Sequence, residues 1–164
     1  MASGTIAVDF SHDQLREALG RFATGVTVVT TMTPDGPLGM TANSFASVSL
    51  SPPLVLWSPA RRSKRFPAFE RASHFTVHVL SAHQQHLAER FAKEGHHFEG
   101  QELSHGHGDA PMFDGCAARF ECRHAAGYDG GDHLIMVGEV LRMSTTEVEP
   151  LLYHRGAYTL LPAE

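Results

Sequence analysis

The chain has 164 residues, 42% of them hydrophobic and 19% charged, which suits one compact domain over 1–164 and excludes a disordered, collagen-like or repeat protein. No stretch approaches the ~20 uninterrupted apolar residues of a bilayer helix, and Met1 to Asp9 lacks a basic start followed by an apolar core, so an untargeted cytoplasmic protein with no membrane partner is expected. Thirteen basic against eighteen acidic residues leave a formal charge of −5, which removes the global basic field that binding nucleic acid needs.

The predicted elements begin with a helix. Ser11 followed three residues later by Gln14 forms a capping box, Leu15, Ala18, Leu19 and Phe22 recur at helical spacing, and Gly25 is its expected end. Gly25 to Thr31 is rich in β-branched residues and stops at Pro34-Asp-Gly36-Pro37, so a hairpin with a return strand from Gly39 to Ser44 is expected. Ser47-Val-Ser-Leu-Ser51 alternates strictly, which predicts three hydroxyls on one face with Val48 and Leu50 on the other. Pro52-Pro53 separates it from a short strand, Leu54 to Trp57.

Helices are predicted near Arg62 to Arg71 and from His83 to Lys93, with a strand at Phe75 to Leu80 between them. Residues 95–111 hold glycines, histidines and acids without apolar periodicity and predict a surface loop. Ala117 to Cys122, Leu134 to Met143, Leu151 to Tyr153 and Tyr158 to Leu161 have strand composition. Six or seven strands with three helices inserted among them predict an antiparallel barrel with helical decoration.

Twelve histidines make the charge titratable in mild acid. Cys116 and Cys122 are the only cysteines, too few for a disulfide framework and wrongly spaced for a Cys-x-x-Cys pair, as suits a reducing compartment. No Gly-x-Gly-x-x-Gly, Gly-x-x-x-x-Gly-Lys, Gly-x-Ser-x-Gly or His-Glu-x-x-His occurs, so a dinucleotide must bind without a Rossmann helix, and acyl transfer or zinc proteolysis is disfavoured. His96, His97, His105 and His107 lie on a glycine-rich segment without fixed geometry, and no built metal site is expected.

Three segments could carry chemistry. Thr41, Asn43, Ser44, Ser47, Ser49 and Ser51 place six short hydrogen-bonding side chains in eleven residues, which lets a flat, acceptor-rich ring approach a stiff backbone; the competing reading is a solvent-facing barrel strand. Arg61-Arg62-Ser63-Lys64-Arg65 concentrates four cations where a helix is predicted to start, a setting for a phosphate or merely a solvated charge run. His133 follows Asp132 at the mouth of a strand, where the carboxylate could orient its ring, although such a histidine is commonly structural.

Taken together, Phe22-Ala-Thr-Gly-Val-Thr-Val-Val-Thr30, Gly39-Met-Thr-Ala-Asn-Ser-Phe45, Ser47-Val-Ser-Leu-Ser-Pro-Pro-Leu54, Gly131-Asp-His133 and Pro150-Leu-Leu-Tyr153 resemble, in order, the short-chain flavin reductase family. Its members are the reductase components of two-component flavin-dependent monooxygenases. The resemblance implies a mostly β fold, an antiparallel Greek-key split β-barrel with a few peripheral helices, usually homodimeric. It also implies that NADH, or NADPH, reduces FMN or FAD and that the product diffuses to a partner monooxygenase.

Carried over by position, Thr41, Ala42, Asn43, Ser44, Ser47, Val48 and Ser49 would line the flavin ring and ribityl chain. Ser63, Lys64 and Arg65 would hold its phosphate, Phe91 would stand near the flavin edge, His133 would meet the nicotinamide and Tyr158 would shape that pocket. His78 stands where similar sequences often have asparagine, and the 95–111 segment follows no family pattern. The alternatives are another split-barrel flavoenzyme, such as a ferric reductase or a pyridoxine-phosphate-oxidase-like protein, and a flavin- or metal-binding module without turnover.

Overall fold

The computed structural model describes residues 9–163. A helix, α1 (His12–Gly20), is followed by strands β1 (Thr24–Gly25), β2 (Thr27–Thr33), β3 (Gly36–Ala42), β4 (Ala46–Leu50) and β5 (Pro53–Trp57). Helix α2 (Phe66–Arg71), strand β6 (His74–Val79) and helix α3 (Gln85–Lys93) come next. The chain ends with β7 (Ser104–His105), β8 (Pro111–Met112), the long strands β9 (Ala118–Gly130) and β10 (His133–Thr145), and the hairpin β11 (Leu152–His154) and β12 (Ala157–Thr159).

Seven strands form one sheet in the order β3-β2-β6-β9-β10-β5-β4, antiparallel at every pairing. The edge strands β3 and β4 are consecutive in the chain but do not pair with each other. Yet Val29 and Met40 from one end of the sheet meet Val55 and Trp57 from the other in a single apolar interior, with Phe69 and Phe75. The sheet therefore curls around a common core while its edges stay apart, which is a split barrel.

Strand β2 explains the layering. Its β-branched run suits a pleated surface, and Val28, Val29, Thr30 and Thr31 are all buried. Val29 points into the barrel, whereas Val26 and Val28 join a second core with Leu80, Leu87, Ala88, Phe91, Phe113 and Leu151 beneath α3. A small outer sheet, β1-β11-β12, closes the far side of that second core.

Several elements differ from expectation. The capping box forms as read, with the Gln14 N–H donating to Ser11 Oγ at 3.1 Å and the Ser11 N–H to Gln14 Oε1 at 2.8 Å. Helix α1 nevertheless stops at Gly20, and Thr24–Gly25 pairs with Tyr153 and Leu152 instead of extending the helix. The alternation of Ser47 to Ser51 is broken by a bulge, since Ser47 faces Val55 and Ser49 already faces Leu54, so the three hydroxyls do not share one face.

Helix α2 begins at Phe66, which leaves Arg61 to Arg65 in turns. The 95–111 segment is anchored, not a free surface loop. Phe98 is buried 4.8 Å from Phe91, the Gly95 carbonyl accepts from the Gly39 N–H at 2.8 Å, and the His107 N–H donates to the buried Glu121 at 3.0 Å. No helix among the described residues is long and apolar enough to cross a membrane.

Candidate functional site

The segment from Ser58 to Arg65 is a strap that ties three parts of the barrel together. At its start, the Ser58 N–H donates to Ser44 Oγ at 2.9 Å, holding the β3–β4 connection against the end of β5. In its middle, Ala60 bridges His133, the Leu134 N–H donates to the Pro59 carbonyl at 3.1 Å, and the Arg61 N–H donates to the Asp132 carbonyl at 2.9 Å. At its end, the Arg65 guanidinium donates to the carbonyls of Gly39 (2.9 Å), Phe91 and Ala92 (3.2 Å). Half-burial away from water pulls the Arg65 pKa below its ordinary value, with Glu94 opposing the shift, although so basic a group stays charged near neutrality.

A cavity of about 260 Å³ opens beside this strap, lined by Val26, Thr41, Ala42, Asn43, Ala92, Tyr153 and Tyr158. It lies just below the ~300–1,000 Å³ usual for ligand pockets, so it suits a ring system and not a whole dinucleotide. Because β3 is an edge strand, half of its backbone polar groups face away from β2. Around Gly39 they are taken by Gly95 and Arg65, whereas Thr41 to Asn43 opens onto the cavity. Opposite stand Tyr153 and Tyr158, paired across the β11–β12 hairpin with centroids 5.4 Å apart. Burial raises the Tyr158 hydroxyl pKa, the Tyr153 and Glu89 charges adding to it, which keeps it a neutral donor.

The cavity gathers four of the residues singled out from sequence: Thr41, Ala42, Asn43 and Tyr158. Thr41 contributes backbone and methyl, because its hydroxyl already donates to the Ala88 carbonyl at 2.7 Å. Ser44 is engaged with Ser58. Ser47 and Val48 are exposed on the edge strand β4, and Ser49 is half-buried there. Phe91 lies fully buried behind Gly39, where it packs against Phe98 and Phe113; it supports the cavity wall from within.

The basic run divides in a way that residue type does not reveal. Ser63 Oγ accepts from the Arg65 N–H at 3.2 Å, and Arg65 is committed to three carbonyls. Lys64 and Arg65 line a second cavity, of about 620 Å³, whose other walls include Met32, Leu38, Ala68, Arg71 and His96. Lys64 and Arg65 therefore face a different opening from the predicted ring residues, and Ser63 lines neither. His133 stands on the strap's barrel side, its Nδ1 2.7 Å from Asp132 Oδ1. That hydrogen bond first, and the charge of the neighbouring ring second, hold the Asp132 carboxyl below its usual range. A carboxylate only accepts, so Nδ1 carries a proton toward Asp132, and Nε2 has no hydrogen-bond partner among the described residues.

Sequence reasoning missed Ser58, Ala92 and Tyr153 as parts of this arrangement, and read Arg61 only as one of a run of cations. Tyr153 was visible as the last residue of the Pro150-Leu-Leu-Tyr153 motif, whereas Ala92 and Ser58 carry no chemical signal and enter only through packing.

Residues 19–162 match the family described as the flavin reductase like domain, and the chain belongs to that family. It is 56% identical over 143 residues to the FMN reductase (NADH) of Agrobacterium fabrum, covering 87% of this chain and 82% of that one. It is 39% identical over 153 residues to the reductase subunit of a flavin-dependent monooxygenase from Mycobacterium tuberculosis, covering 91% and 82%. Among solved structures, an NADH:FAD oxidoreductase of Streptomyces globisporus superposes with a TM-score of 0.90 at 36% identity, covering 98% of each chain. The same oxidoreductase has also been solved in complex with NAD and FAD fragments, and that structure matches with a TM-score of 0.87.

Proposed function

We propose that this protein uses NADH, with NADPH as the alternative donor, to reduce FMN or FAD, and releases the reduced flavin to a separate flavin-dependent monooxygenase by diffusion. The observation that carries this reading is the cavity walled by the open edge Thr41–Asn43 and the Tyr153–Tyr158 pair, adjoining a strap that also holds His133. Family membership and relatives named as NADH-dependent FMN reductase and monooxygenase reductase subunit support it. In the overall exchange one hydride and one solvent proton pass to the oxidised flavin, leaving the nicotinamide oxidised.

The chain's part is geometric. Hydride transfer needs donor carbon and acceptor nitrogen about 3–3.5 Å apart, and the cavity supplies a wall for one ring with an open side for the other. The outward-facing backbone N–H groups of Thr41 and Asn43 and the Asn43 amide are the donors placed to stabilise negative charge developing on the flavin's pyrimidine edge, each worth about 3 kcal/mol by analogy with oxyanion sites. His133, with Nδ1 fixed on Asp132, presents Nε2 to the nicotinamide carboxamide and orients that ring without moving a proton. Lys64 faces the larger opening and not the ring cavity, so the phosphate reading of Ser63 to Arg65 requires the flavin tail to leave the ring cavity and cross to that opening, with Ser47 to Ser49 bordering the ribityl chain. Contacts this dispersed favour modest flavin affinity, as a released product requires. A cytoplasmic homodimer fits the two unpaired, buried cysteines and the exposed apolar faces.

The test is to mix the protein with NADH and FMN in air and follow NADH absorbance, then repeat with FAD, riboflavin and NADPH. NADH consumption that requires added flavin is the expected result. Consumption without added flavin, by protein that keeps its flavin through extensive dialysis, points to a resident-flavin enzyme, and no consumption leaves a binding module.

A further inference from the structure

We propose that Arg61 is a positioning residue for nicotinamide binding, acting through the β9–β10 turn that carries His133. The inference rests on the reading of His133 given above.

That turn is poorly suited to hold a side chain by itself. It runs Gly130-Gly-Asp-His133, with Gly131 at φ +75°, and its residues are largely exposed. Glycine loses more freedom on ordering than any other residue, so a ligand group mounted two residues beyond it needs an external brace. Arg61 supplies that brace at three points: its backbone N–H donates to the Asp132 carbonyl at 2.9 Å, Nε to the Gly131 carbonyl at 3.2 Å, and Nη2 to Asp129 Oδ1 at 2.9 Å. The guanidinium also lies 5.6 Å from the centroid of the buried Phe66 ring at the start of α2. Arg61 thus fixes the turn to the strap, its side chain holding Asp129 and Gly131 and its backbone N–H holding Asp132, and Asp132 in turn fixes the His133 ring.

The arrangement is a poor stabiliser of the fold. The Arg61 and Asp129 side chains are 38% and 81% exposed, and exposed ion pairs contribute little to unfolding free energy. What the contacts do restrict is the direction in which His133 Nε2 points. Lysine can restore the charge opposite Asp129, but not the guanidinium fork that reaches Gly131 and Asp129 together.

The test is a double-mutant cycle of Arg61→Ala and His133→Ala, with Arg61→Lys alongside. Apparent KM for NADH, kcat, FMN affinity by fluorescence quenching, and Tm are read for each variant. Arg61→Ala should raise KM for NADH about tenfold, within the coupling expected for residues joined in one network, with FMN affinity and Tm unmoved. Arg61→Lys should recover part of the loss, and adding Arg61→Ala to His133→Ala should add nothing.

A wild-type KM in Arg61→Ala while His133→Ala is impaired overturns the positioning role and leaves the reading of His133 standing. Additive losses also overturn it, because Arg61 then acts independently of His133. A wild-type KM in His133→Ala overturns the reading of His133 and this proposal with it.

Discussion

His78 shows what a single buried polar residue does in this barrel. Its ring is fully buried between β2 and the segment entering β9, where the Phe113 N–H donates to Nε2 at 3.2 Å and Nδ1 lies 2.9 Å from the Val28 carbonyl. Only the neutral ring with its proton on Nδ1 satisfies both contacts. Burial accordingly pushes its pKa down to about 3, the Val28 hydrogen bond opposing and the Arg119 charge adding. The unfolded chain binds this proton near pH 6.5 and the folded chain only near 3, so stability present above pH 6.5 is lost as pH falls through that window, by up to about 1.4 kcal/mol per pH unit. Urea unfolding of wild type and His78→Asn across pH 4–7 checks this: the variant, whose amide carries both a donor and an acceptor but does not titrate, should show a distinctly shallower pH slope. The thiols behave similarly. Burial raises Cys116 to about 11 and Cys122 to about 12, so neither is a nucleophile in the folded protein.

At the scale of elements, the wall between the two cavities is made by β3 lying against α3. Gly39 permits this contact, since a Cβ there would stand 2.7 Å from the Phe91 ring, closer than packed carbons tolerate. Gly39→Ala should therefore destabilise the fold by about 1–3 kcal/mol, read by urea denaturation, and should weaken FMN binding because pushing α3 off β3 displaces Ala92 from the wall it shares with Thr41 to Asn43. Arg65 sets the same wall from outside by binding three carbonyls, two of them at the C-terminal end of α3, where a cation also complements the helix dipole. The strap is thus a structural element in its own right: without it, β3, α3 and the β9–β10 turn have no common anchor.

The whole molecule leaves apolar surface that a lone copy does not cover. Helix α1 buries none of its residues; Leu19 is 64% exposed, Phe22 79% and Leu50 of β4 96%. Tyr128 and Met143 project from the long β9–β10 hairpin in the same exposed state. Patches of this kind mark association surfaces, and we expect a homodimer in which α1 packs on a second copy. Sedimentation equilibrium should give twice the 17.9 kDa of the chain, and Leu19→Glu with Phe22→Glu should return it to one. A wild-type protein that sediments as a monomer at micromolar concentration would falsify that expectation.

The sequence alone determined whatever depends on neighbours a few residues apart. The Ser11–Gln14 capping box, the β-branched run that became β2, the turn at Pro34 to Gly36 and the polar stretch Thr41 to Ser44 were all legible, because capping, pleating and turn geometry are local. The ordered motifs that resemble a flavin reductase also pointed to the right barrel. The tertiary structure decided the rest, and each case has a long-range cause. Strand β9 continues from Cys122 to Gly130, through residues of weak strand preference, because β10 pairs with it along that length. The bulge at Val48 comes from register against β5, not from the alternation of Ser47 to Ser51. Phe98 buries itself under α3 and so pins a segment whose composition reads as free loop. Arg61, Lys64 and Arg65 read as equivalent charges, yet one braces a turn, one lines a cavity and one binds carbonyls 26 and 27 positions away. Side-chain type is written in the chain; which distant acceptor consumes a donor is settled only when the strands have closed around the core.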